Sequence, residues 1–552
     1  MTADVVPYPD HLARAYREAG AWRPHTIPGE LRLAARRWPD TLAVVTATER
    51  VTYRELDRRA DRLAVALRRL GLAPGDPVVF QLANEAHTVV AYYGVLRAGL
   101  VPICSLAQHR AREIGYLIRH TGARAHLVEA DFRDYDLPGF AAAMAAEHES
   151  VTAVVVFGGP AREGQHAYAD LVAGVDADVA AEEVGTWPVD PASVAVFQLS
   201  GGTTGDPKVI PRLHCEYAYN ARAWAEHWNW GPETVVLHAG PMMHNAGIVV
   251  TVQSAHLTGA TVVLVPRIDA EAIAEAVARE RVTDTMMGVG LLTRLAEHPR
   301  LGRFDFSSLR RVFFAPSIPS ACDQAEKLLG CRVVPLFGAG EGIFLTAPDD
   351  APEQARKATC GAPLSPLDEV RLLNPGTEEE VAPGEIGELV ARGPYTIHGY
   401  YRAPERNLAA FTSDGFYRTG DLARAHLVEG VTYYSHEGRI TDNISRGGEK
   451  IHADELEGLL AGHPGIAEVA VVGMPDRLLG ERVCAFVRPA KDHVPTVAEL
   501  ADFLLGLGLA KFKLPERVEI VDELPRTKVG KVSKRDLRDR INALVSREQG
   551  HG

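Results

Sequence analysis

Short apolar runs alternate with amphipathic stretches over most of the chain, and this alternation predicts its fold class. The apolar runs are rich in β-branched and aromatic residues, as strands are. Between them, apolar positions recur with a helical period, for example in Asp269–Glu280. The predicted strands are Val151–Phe157, Val194–Ser200, Thr261–Pro266, Arg311–Pro316 and Arg332–Gly338. Strands that alternate with helices favour an α/β fold with largely parallel sheets.

The pattern changes near residue 440, where we predict a domain boundary. Thr496 and Glu499 have the spacing of a helix capping box ahead of Leu500–Leu505. The other elements predicted after the change are a helix at Asp454–Leu460 and strands at Glu468–Met474, Val483–Pro489 and Val518–Val521. This compact set predicts a small α+β domain, residues 440–552, after a large α/β domain, residues 1–439.

Composition is typical of a soluble globular protein and excludes several function classes. The 552 residues are 46% hydrophobic and 24% charged, and a net charge of −13 opposes general binding to nucleic acid or to an anionic membrane. The N-terminal residues lack the pattern of a signal peptide, and no apolar run approaches a membrane span, so we expect a cytoplasmic protein. The six cysteines form no CxxC pair, which predicts reduced, mostly buried thiols.

The segment with the clearest chemistry is a Gly- and Thr-rich loop that follows a predicted strand. Its glycines let backbone N–H groups converge on an anion, while its hydroxyls and its lysine add further donors. The residues predicted to bind phosphate are Ser200, Gly201, Gly202, Thr203, Thr204, Gly205 and Lys208. The loop is not a classical P-loop, because Asp206 and Pro207 separate the last glycine from the lysine, and Val209 follows it.

This loop resembles the signature of the adenylate-forming enzymes, the family of acyl-CoA ligases, luciferases and nonribosomal-peptide adenylation domains. Further family motifs appear in the family's order. They are Val51–Leu56, Leu96–Pro102, Phe337–Glu341, Tyr417–Asp421, Gly438–Arg439 and Pro525–Lys531. The resemblance covers nearly the whole chain. It implies the family's fold, a large N-terminal α/β domain of several subdomains with a small mobile C-terminal α+β domain.

The resemblance also implies roles in a nucleotide site. Phe337 and Gly338 belong to the segment that flanks adenine in the family. Asp421 matches the family's ribose-binding carboxylate, and Arg439 can reach the ribose or the phosphates as a forked donor. Glu341 matches the ligand of the Mg²⁺ that accompanies ATP, an ion that prefers hard oxygen ligands.

Lys531 is implied to be the catalytic lysine. A carboxylate that attacks the α-phosphate of ATP spreads negative charge over the transition state, and a positioned cation offsets that charge. In relatives the small domain rotates for a second reaction, which uses the face formed here by Gly447, Gly448, Glu449 and Lys450. Thr441 lies at the family's hinge, where Asp or Lys is usual, and it can still absorb backbone torsion.

The acid to be activated is indicated by His244 and Asn245, which lie where the family places its acid pocket. This pair resembles the aryl-acid branch, and His244 is expected to act in both catalysis and acid binding. Amino-acid-activating relatives usually carry Asp at the position of Asn245, and a neutral amide cannot pair with an α-ammonium group. Asn245 can instead donate or accept a hydrogen bond at an ortho hydroxyl or amino group of a benzoate.

The expected ring site departs from the 2,3-dihydroxybenzoate pattern. Val250 replaces a serine, Phe344 replaces a small aliphatic residue, and Ala315 with Pro316 stands where two glycines are common. Gly340 completes the expected acid site. The lost hydroxyl and the added bulk disfavour 2,3-dihydroxybenzoate and favour a salicylate-like, aminobenzoate-like or unusually substituted aromatic acid.

The predicted function is therefore ATP-dependent conversion of an aromatic acid to aryl-AMP, with release of pyrophosphate. Transfer to the phosphopantetheine thiol of an aryl or peptidyl carrier protein follows, as in standalone aryl-acid enzymes of nonribosomal peptide pathways. Coenzyme A is the alternative acceptor, because it ends in the same pantetheine group. The alternative from another functional class is a catalytically silent nucleotide-binding protein. Such a protein would be expected to have lost Lys531, Glu341 or Asp421, and all three are present. The exact acid, the acceptor and the oligomeric state stay open.

Overall fold

Two large sheets with mainly parallel strands form the framework of the computed structural model of this chain. The structure describes residues 4–133, 135–200, 207–314, 319–446, 449–476, 479–490, 493–507, 509, 511–527 and 531–549. Helices and strands are numbered below in chain order.

The α-helices within these residues are α1 (Asp10–Glu18), α2 (Ile27–Arg37), α3 (Tyr53–Arg69), α4 (Ala86–Arg97), α5 (Ala111–Thr121), α6 (Leu137–Glu147), α7 (Tyr168–Ala173), α8 (Ala177–Gly185), α9 (His214–His227), α10 (Ser254–Thr258), α11 (Ala270–Glu280), α12 (Val289–Ala296), α13 (Pro319–Leu329), α14 (Glu353–Ala358), α15 (Pro404–Ala410), α16 (Ala453–Leu460), α17 (Val497–Gly506) and α18 (Lys534–Gln549). A π-helix spans Ala246–Gln253.

The strands are β1 (Leu42–Val45), β2 (Arg50–Thr52), β3 (Pro77–Gln81), β4 (Val101–Ile103), β5 (Ala125–Glu129), β6 (Ala153–Phe157), β7 (His166–Ala167), β8 (Val194–Ser200), β9 (Lys208–Leu213), β10 (Val235–His238), β11 (Thr261–Leu264), β12 (Asp284–Met287), β13 (Arg311–Phe314), β14 (Arg332–Ala339), β15 (Ile343–Thr346), β16 (Ala362–Pro363), β17 (Glu369–Leu373), β18 (Ile386–Arg392), β19 (Tyr417–Val428), β20 (Val431–Arg439), β21 (Asn443–Arg446), β22 (Glu449–His452), β23 (Ile466–Asp476), β24 (Gly480–Pro489) and β25 (Arg517–Ile520).

The first two sheets carry the parallel strands. One has the order β7-β6-β5-β3-β4-β8-β9, and the other has the order β16-β15-β14-β13-β12-β10-β11-β1-β2. In the second sheet the strands from β14 to β1 run parallel, while β15, β16 and β2 are antiparallel additions at its two edges. In the first sheet β9 turns back antiparallel to β8.

Helices between these two sheets supply the main core. Helix α4 contacts β4 of one sheet and β1 of the other, and nearly every residue of this helix is buried. A helix that is apolar on all sides is expected where both faces meet protein. Buried side chains such as Leu63, Tyr92 and Trp224 join α3, α4 and α9 in one continuous core.

Two smaller sheets complete the part of the chain that the structure describes. β17, β18, β19 and β20 form an antiparallel sheet, and the C-terminal strands form another, of order β22-β21-β24-β23 with β25 beside β24. The α/β class and the late α+β unit are confirmed. The boundary between residues 439 and 440 stays a prediction.

Individual elements follow the sequence pattern closely. The predicted strand Val194–Ser200 is β8, and the helix predicted at Asp269–Glu280 is α11, with the Asp269 side chain accepting from the backbone N–H of Ala272. The capping box of Thr496 and Glu499 is present at α17. All six cysteines are buried thiols that form no disulfide within the described residues, as predicted. Of the described helices, none has the length and apolar character that a membrane span requires.

The turn between β14 and β15 depends on Gly342. Its φ angle is +109°, and a Cβ atom there would lie 1.8 Å from the carbonyl oxygen of Tyr395. We expect Gly342→Ala to lower the melting temperature by roughly 5 °C or more, because both the backbone strain and the backbone collision act against folding.

Gly340→Ala is the matched control in the same turn, since its added Cβ would make an ordinary 3.4 Å contact with Ile210. Thermal unfolding of both variants, followed by circular dichroism, tests this expectation. Equal melting temperatures for the two variants would contradict it.

Candidate functional site

The carboxyl ends of parallel strands bring the predicted residues together. β10, β12, β13 and β14 run parallel in adjacent positions, so the segments that follow them meet at one edge of the sheet. The Phe337–Ala339 end of β14 and the Pro241–Asn245 segment after β10 lie there. Open α/β sheets bind ligands at this edge.

The predicted phosphate loop lies between β8 and β9. Ser200 pairs with Lys208 at the base of this antiparallel hairpin. Gly201, Gly202, Thr203, Thr204 and Gly205 lie outside the described residues, so their contacts stay a prediction. The Lys208 Nζ donates to the hydroxyl of Tyr400 at 3.3 Å and lies 4.9 Å from the centre of its ring. Burial lowers the pKa of this lysine.

The Tyr400 hydroxyl is the meeting point of the expected metal and phosphate residues. It donates to Glu341 Oε1 at 2.8 Å and lies 3.3 Å from the Tyr417 hydroxyl. Tyr400 has one hydroxyl proton, so it gives that proton to the carboxylate and accepts from Lys208 and Tyr417. Burial first, and then Glu341, raise the pKa of Tyr400 well above its usual range.

Glu341 suits an ion that is shared with a nucleotide. Its carboxylate is buried, with 5% of the residue exposed. Among the described residues no group of three His, Cys, Asp or Glu side chains could hold a metal. Mg²⁺ commonly uses one or two carboxylates together with substrate phosphates, so a single carboxylate beside Lys208 fits that ion.

The expected ribose and adenine residues also lie together. Asp421 Oδ1 accepts from Arg439 Nε at 3.1 Å and lies 3.1 Å from His436 Nε2. The Asp421 carboxylate is the largest cause of the raised pKa of Arg439. The Phe337 ring stacks on the His436 ring at 5.6 Å between centroids. The structure thus brings the carboxylate, the forked donor and an aromatic face to one place.

Lys531 enters this site from the C-terminal segment. The backbone N–H of Thr527 donates to the Lys531 carbonyl at 2.6 Å. Lys531 keeps contact with solvent, but the surrounding protein and the nearby Arg439 lower the pKa of its amine, while Asp421 opposes that shift. Its charge also acts on His244, whose pKa falls to about 4 through burial first and Lys531 second. The predicted catalytic residues are therefore electrostatic neighbours.

His244 is held neutral by its surroundings. The backbone N–H of Ala246 donates to its Nδ1 at 3.3 Å, so this nitrogen is an acceptor and the proton is on Nε2. Asn84 fixes the segment before it, because it donates to the Gly240 carbonyl at 2.6 Å and accepts from the Met242 N–H at 2.9 Å. Asn84 follows β3, so this residue joins the two large sheets at the site.

The orientation of Asn245 is set by a chain of hydrogen bonds. Gln198 Nε2 donates to the Tyr217 hydroxyl at 3.0 Å, and that hydroxyl donates to Asn245 Oδ1 at 2.8 Å. The amide oxygen of Asn245 is therefore already engaged. With the oxygen held in this orientation, the NH₂ group of Asn245 can serve as a donor.

The other predicted acid-site residues follow Asn245 or belong to the β14–β15 hairpin. Val250 is buried in the π-helix. Phe344 is buried against Trp224, with 5.8 Å between ring centroids. Gly338 faces the Phe344 ring, which a Cβ there would approach to 2.6 Å. The Gly340 carbonyl accepts from Arg212 at 2.7 Å.

The structure does not test all of the predicted residues. Ala315 and Pro316 of the acid site, and Gly447 and Gly448 of the second face, are not among the described residues. Thr441 lies in a short 3₁₀ helix, Ile440–Asp442, and Glu449 and Lys450 begin β22. The hinge and the second face stay predictions.

Sequence reasoning missed four residues that support the site. These residues contact the predicted ones, but their spacing along the chain gives no indication of a functional role. They are Tyr400, Tyr217, His436 and Arg212. Only its side-chain contacts with Glu341, Lys208 and Tyr417 single out Tyr400. Arg212 is fully buried, with Glu216 as its ion-pair partner.

Comparisons with known proteins agree over nearly the whole chain. The family model described as AMP-binding enzyme matches residues 31–401, and the model of its C-terminal domain matches residues 455–531. Triostin synthetase I from Streptomyces triostinicus is 41% identical over 98% of this chain and 98% of that protein. The 2,3-dihydroxybenzoate-AMP ligase of Bacillus subtilis is 38% identical, again over 98% of each.

A solved structure shows the same similarity in three dimensions. The apo structure of MbtA from Mycobacterium smegmatis has a TM-score of 0.74 and 36% identity to this chain. The match covers 98% of this chain and 99% of that one.

The hydrogen bond from Tyr400 to Glu341 can be tested by mutation. We expect Tyr400→Phe to raise the Mg²⁺ concentration needed for half-maximal ATP-dependent activity by about tenfold, because Glu341 loses the donor that orients it. A Mg²⁺ titration of activity at fixed ATP measures the effect.

Tyr417→Phe is the matched control, since it removes a hydroxyl bonded to Tyr400 and not to Glu341. We expect a smaller shift for this variant. A Mg²⁺ requirement that stays unchanged in Tyr400→Phe would show that Glu341 does not depend on this contact.

Proposed function

This chain belongs to the AMP-binding enzyme family, and from that premise we propose that it activates an aromatic carboxylic acid with ATP and passes the acyl group to a thiol. The proposal is carried by the grouping of the charged residues: Arg439 donates to Asp421 at 3.1 Å, and the charge of Lys531 acts on His244 and is itself influenced by Arg439 and Asp421. A catalytically silent protein would have no need to keep these groups together.

In the first reaction the acid's carboxylate oxygen attacks the α-phosphorus of ATP. A new acyl–O–P bond forms, and the bond to the bridging oxygen of pyrophosphate breaks. We assign Asp421 to the ribose hydroxyls and Arg439 to the ribose or the phosphates. The amine of Lys531 offsets the charge that builds up on the α-phosphate. Mg²⁺ held by Glu341 would offset charge on the other phosphates.

His244 has a positioning role in this proposal. Its pKa of about 4 keeps the imidazole neutral at physiological pH. A neutral ring with its proton on Nε2 can donate to the acid without adding a competing positive charge beside Lys531. Two anions approach each other in this step, so a donor that orients the carboxylate adds to the effect of the cation.

The orientation of Asn245 favours an acid with an ortho hydroxyl group. An ortho hydroxyl can give its own proton to the neighbouring carboxylate and still accept from the Asn245 amide. An ortho amino group is a poor acceptor, so it leaves the Asn245 donor unsatisfied. Of the acids that the sequence left open, a salicylate-like acid therefore fits this contact better than an aminobenzoate.

The ring position beside that hydroxyl meets apolar surface. Val250 offers no hydrogen bond, and Phe344 adds bulk where a smaller residue is common in the aryl-acid branch. A hydroxyl at ring position 3 would lose its partner there. The relative that acts on 2,3-dihydroxybenzoate supports an aromatic acid in general, and the local residues argue for a different substituent pattern.

In the second reaction a thiol sulfur attacks the acyl carbon, a thioester forms and AMP leaves. We propose the phosphopantetheine arm of an aryl or peptidyl carrier protein as the acceptor, with coenzyme A as the alternative. Both end in the same thiol. Parallel acylation assays with a phosphopantetheinylated aryl carrier protein and with coenzyme A distinguish them by the ratio of their rates.

The first test is acid-dependent ATP–pyrophosphate exchange over benzoates, hydroxybenzoates, aminobenzoates, hydroxypicolinates, amino acids and fatty acids. We expect exchange with an aromatic subset only. Lys531→Ala should lower the rate by about a hundredfold or more, with ATP affinity within about threefold of the original, because the lysine acts mainly on the transition state.

Lys511→Ala is the control, since Lys511 is an exposed lysine of the same C-terminal segment. Exchange at the original rate in Lys531→Ala would refute the assigned role of Lys531. Exchange with amino or fatty acids alone would refute the aromatic proposal.

The second test concerns the Tyr217 hydroxyl. Tyr217→Phe frees the Asn245 amide to turn, so we expect the ratio of kcat/KM for salicylate over anthranilate to fall about tenfold. Tyr219→Phe is the matched control on the same helix, because its hydroxyl bonds Ser365 and not the acid site. An unchanged ratio in Tyr217→Phe would mean that this hydroxyl does not set the preference.

A further inference from the structure

One face of α9 carries buried polar groups that have no hydrogen-bond partner within the described part of the chain. Asn220 is fully buried, and neither its amide oxygen nor its amide nitrogen has a hydrogen-bond partner among the described residues. The indole nitrogen of Trp224, one turn later, is likewise buried and unpartnered there. Other buried polar groups of this helix are paired, such as Glu216 with Arg212 and Tyr219 with Ser365. At its C-terminal end, the ring nitrogens His227 Nε2 and Trp228 Nε1 are also unpartnered among the described residues.

The unpartnered groups lie beside the proposed acid site. Tyr217, Asn220 and Trp224 are spaced three and four residues apart, so they share one face of the helix. Tyr217 bonds Asn245 at one end of this row. Trp224 contacts Phe344 at the other end, with 5.8 Å between ring centroids. Asn220 therefore lies, along this face of the helix, between the residue that orients Asn245 and the residue that packs on Phe344.

The residues of α9 beside Asn220 show which part of the molecule this side of the helix contacts. Tyr219 packs toward Tyr395, with 6.1 Å between ring centroids. Tyr395 accepts, through its carbonyl, from the same Arg212 that holds the Gly340 carbonyl. On a helical wheel Asn220 falls between Tyr219 and Trp224, and the Trp224 ring packs on Phe344 of β15.

Buried polar groups without a hydrogen-bond partner are rare in protein interiors, because each loses its hydrogen bonds to water without replacement. Two amide atoms and one indole N–H in adjacent turns provide one acceptor and two kinds of donor. A ring hydroxyl matches this set, since it donates one hydrogen bond and accepts two. A methyl group or a halogen offers no donor, and an amino group is a poor acceptor.

We propose that Asn220, together with Trp224, binds a second hydroxyl group on the acid, at the ring edge away from the carboxylate. This inference rests on the proposed function, because it specifies the aromatic acid that the same site activates. It makes Asn220 a specificity-determining residue and assigns the substrate to hydroxybenzoates that carry a distal hydroxyl at ring position 4 or 5 in addition to the ortho hydroxyl.

The experiment compares kcat/KM in pyrophosphate exchange for salicylate, 2,4-dihydroxybenzoate, 2,5-dihydroxybenzoate and the 4-methyl and 5-methyl salicylates, which match the size of the added group. We expect the unaltered enzyme to favour one distal hydroxyl over salicylate and over the size-matched methyl acid by about tenfold or more, since a site built to bind a hydroxyl rejects analogues that lack it.

Asn220→Leu keeps the approximate volume and removes both polar atoms, so we expect it to abolish that preference and to favour the methyl acid. Trp224→Phe removes one donor and should reduce the preference by less. If the leucine variant does not fold, Asn220→Ser replaces it; this variant exchanges the amide for a shorter hydroxyl side chain and should reduce the preference for the distal hydroxyl.

Gln253→Met is the control, because Gln253 is a buried amide of the π-helix that bonds Tyr92 and not the acid site. This variant should leave the relative kcat/KM values for the different acids unchanged. A preference for salicylate over every distal hydroxyl, or an Asn220→Leu profile equal to that of the unaltered enzyme, would overturn the inference and leave the proposed function intact. Exchange with none of the aromatic acids would overturn both.

Discussion

A buried ion pair between Arg212 and Glu216 holds the parts of the site in one arrangement. Both side chains are completely excluded from solvent, which is costly unless every donor and acceptor is used. Arg212 donates to the carbonyls of Gly340 and Tyr395 as well as to Glu216, and Glu216 also accepts from the Leu213 N–H at the start of α9. One guanidinium group thus joins β9, α9, the β14–β15 hairpin and the segment that leads to Tyr400.

From this fixed centre the polar groups of the site divide into two classes. Glu341, Asp421 and Asn245 have partners that orient them, and each partner occupies only part of the bonding capacity of the group. Asn220 and Trp224 have no partner among the described residues. In the proposed function the first class is oriented for ATP and for the acid's ortho group, and in the further inference the second class receives its hydrogen bonds from the acid.

Much of the architecture could be predicted because it depends on local patterns. The strand Val194–Ser200, the helix after Asp269 and the capping box at Thr496 were predicted correctly, since strand alternation, helical period and capping are properties of short stretches. The site residues came from motifs and not from periodicity. Tyr400 and Tyr217 were missed because each acts on a residue that is distant in sequence, 59 positions away for Glu341 and 28 for Asn245.

The sequence by itself determined the fold class and the class of acid and predicted the residues of a nucleotide site, because motif residues and apolar patterns are read directly from residue types. The tertiary structure alone decided which way Asn245 presents its amide, how Glu341 is oriented and which polar groups of α9 stay unpartnered. The physical reason is that a hydrogen bond has a donor and an acceptor, and their assignment depends on the complete set of neighbours. That set is assembled only when Gln198, Tyr217 and Asn245 meet in the folded chain.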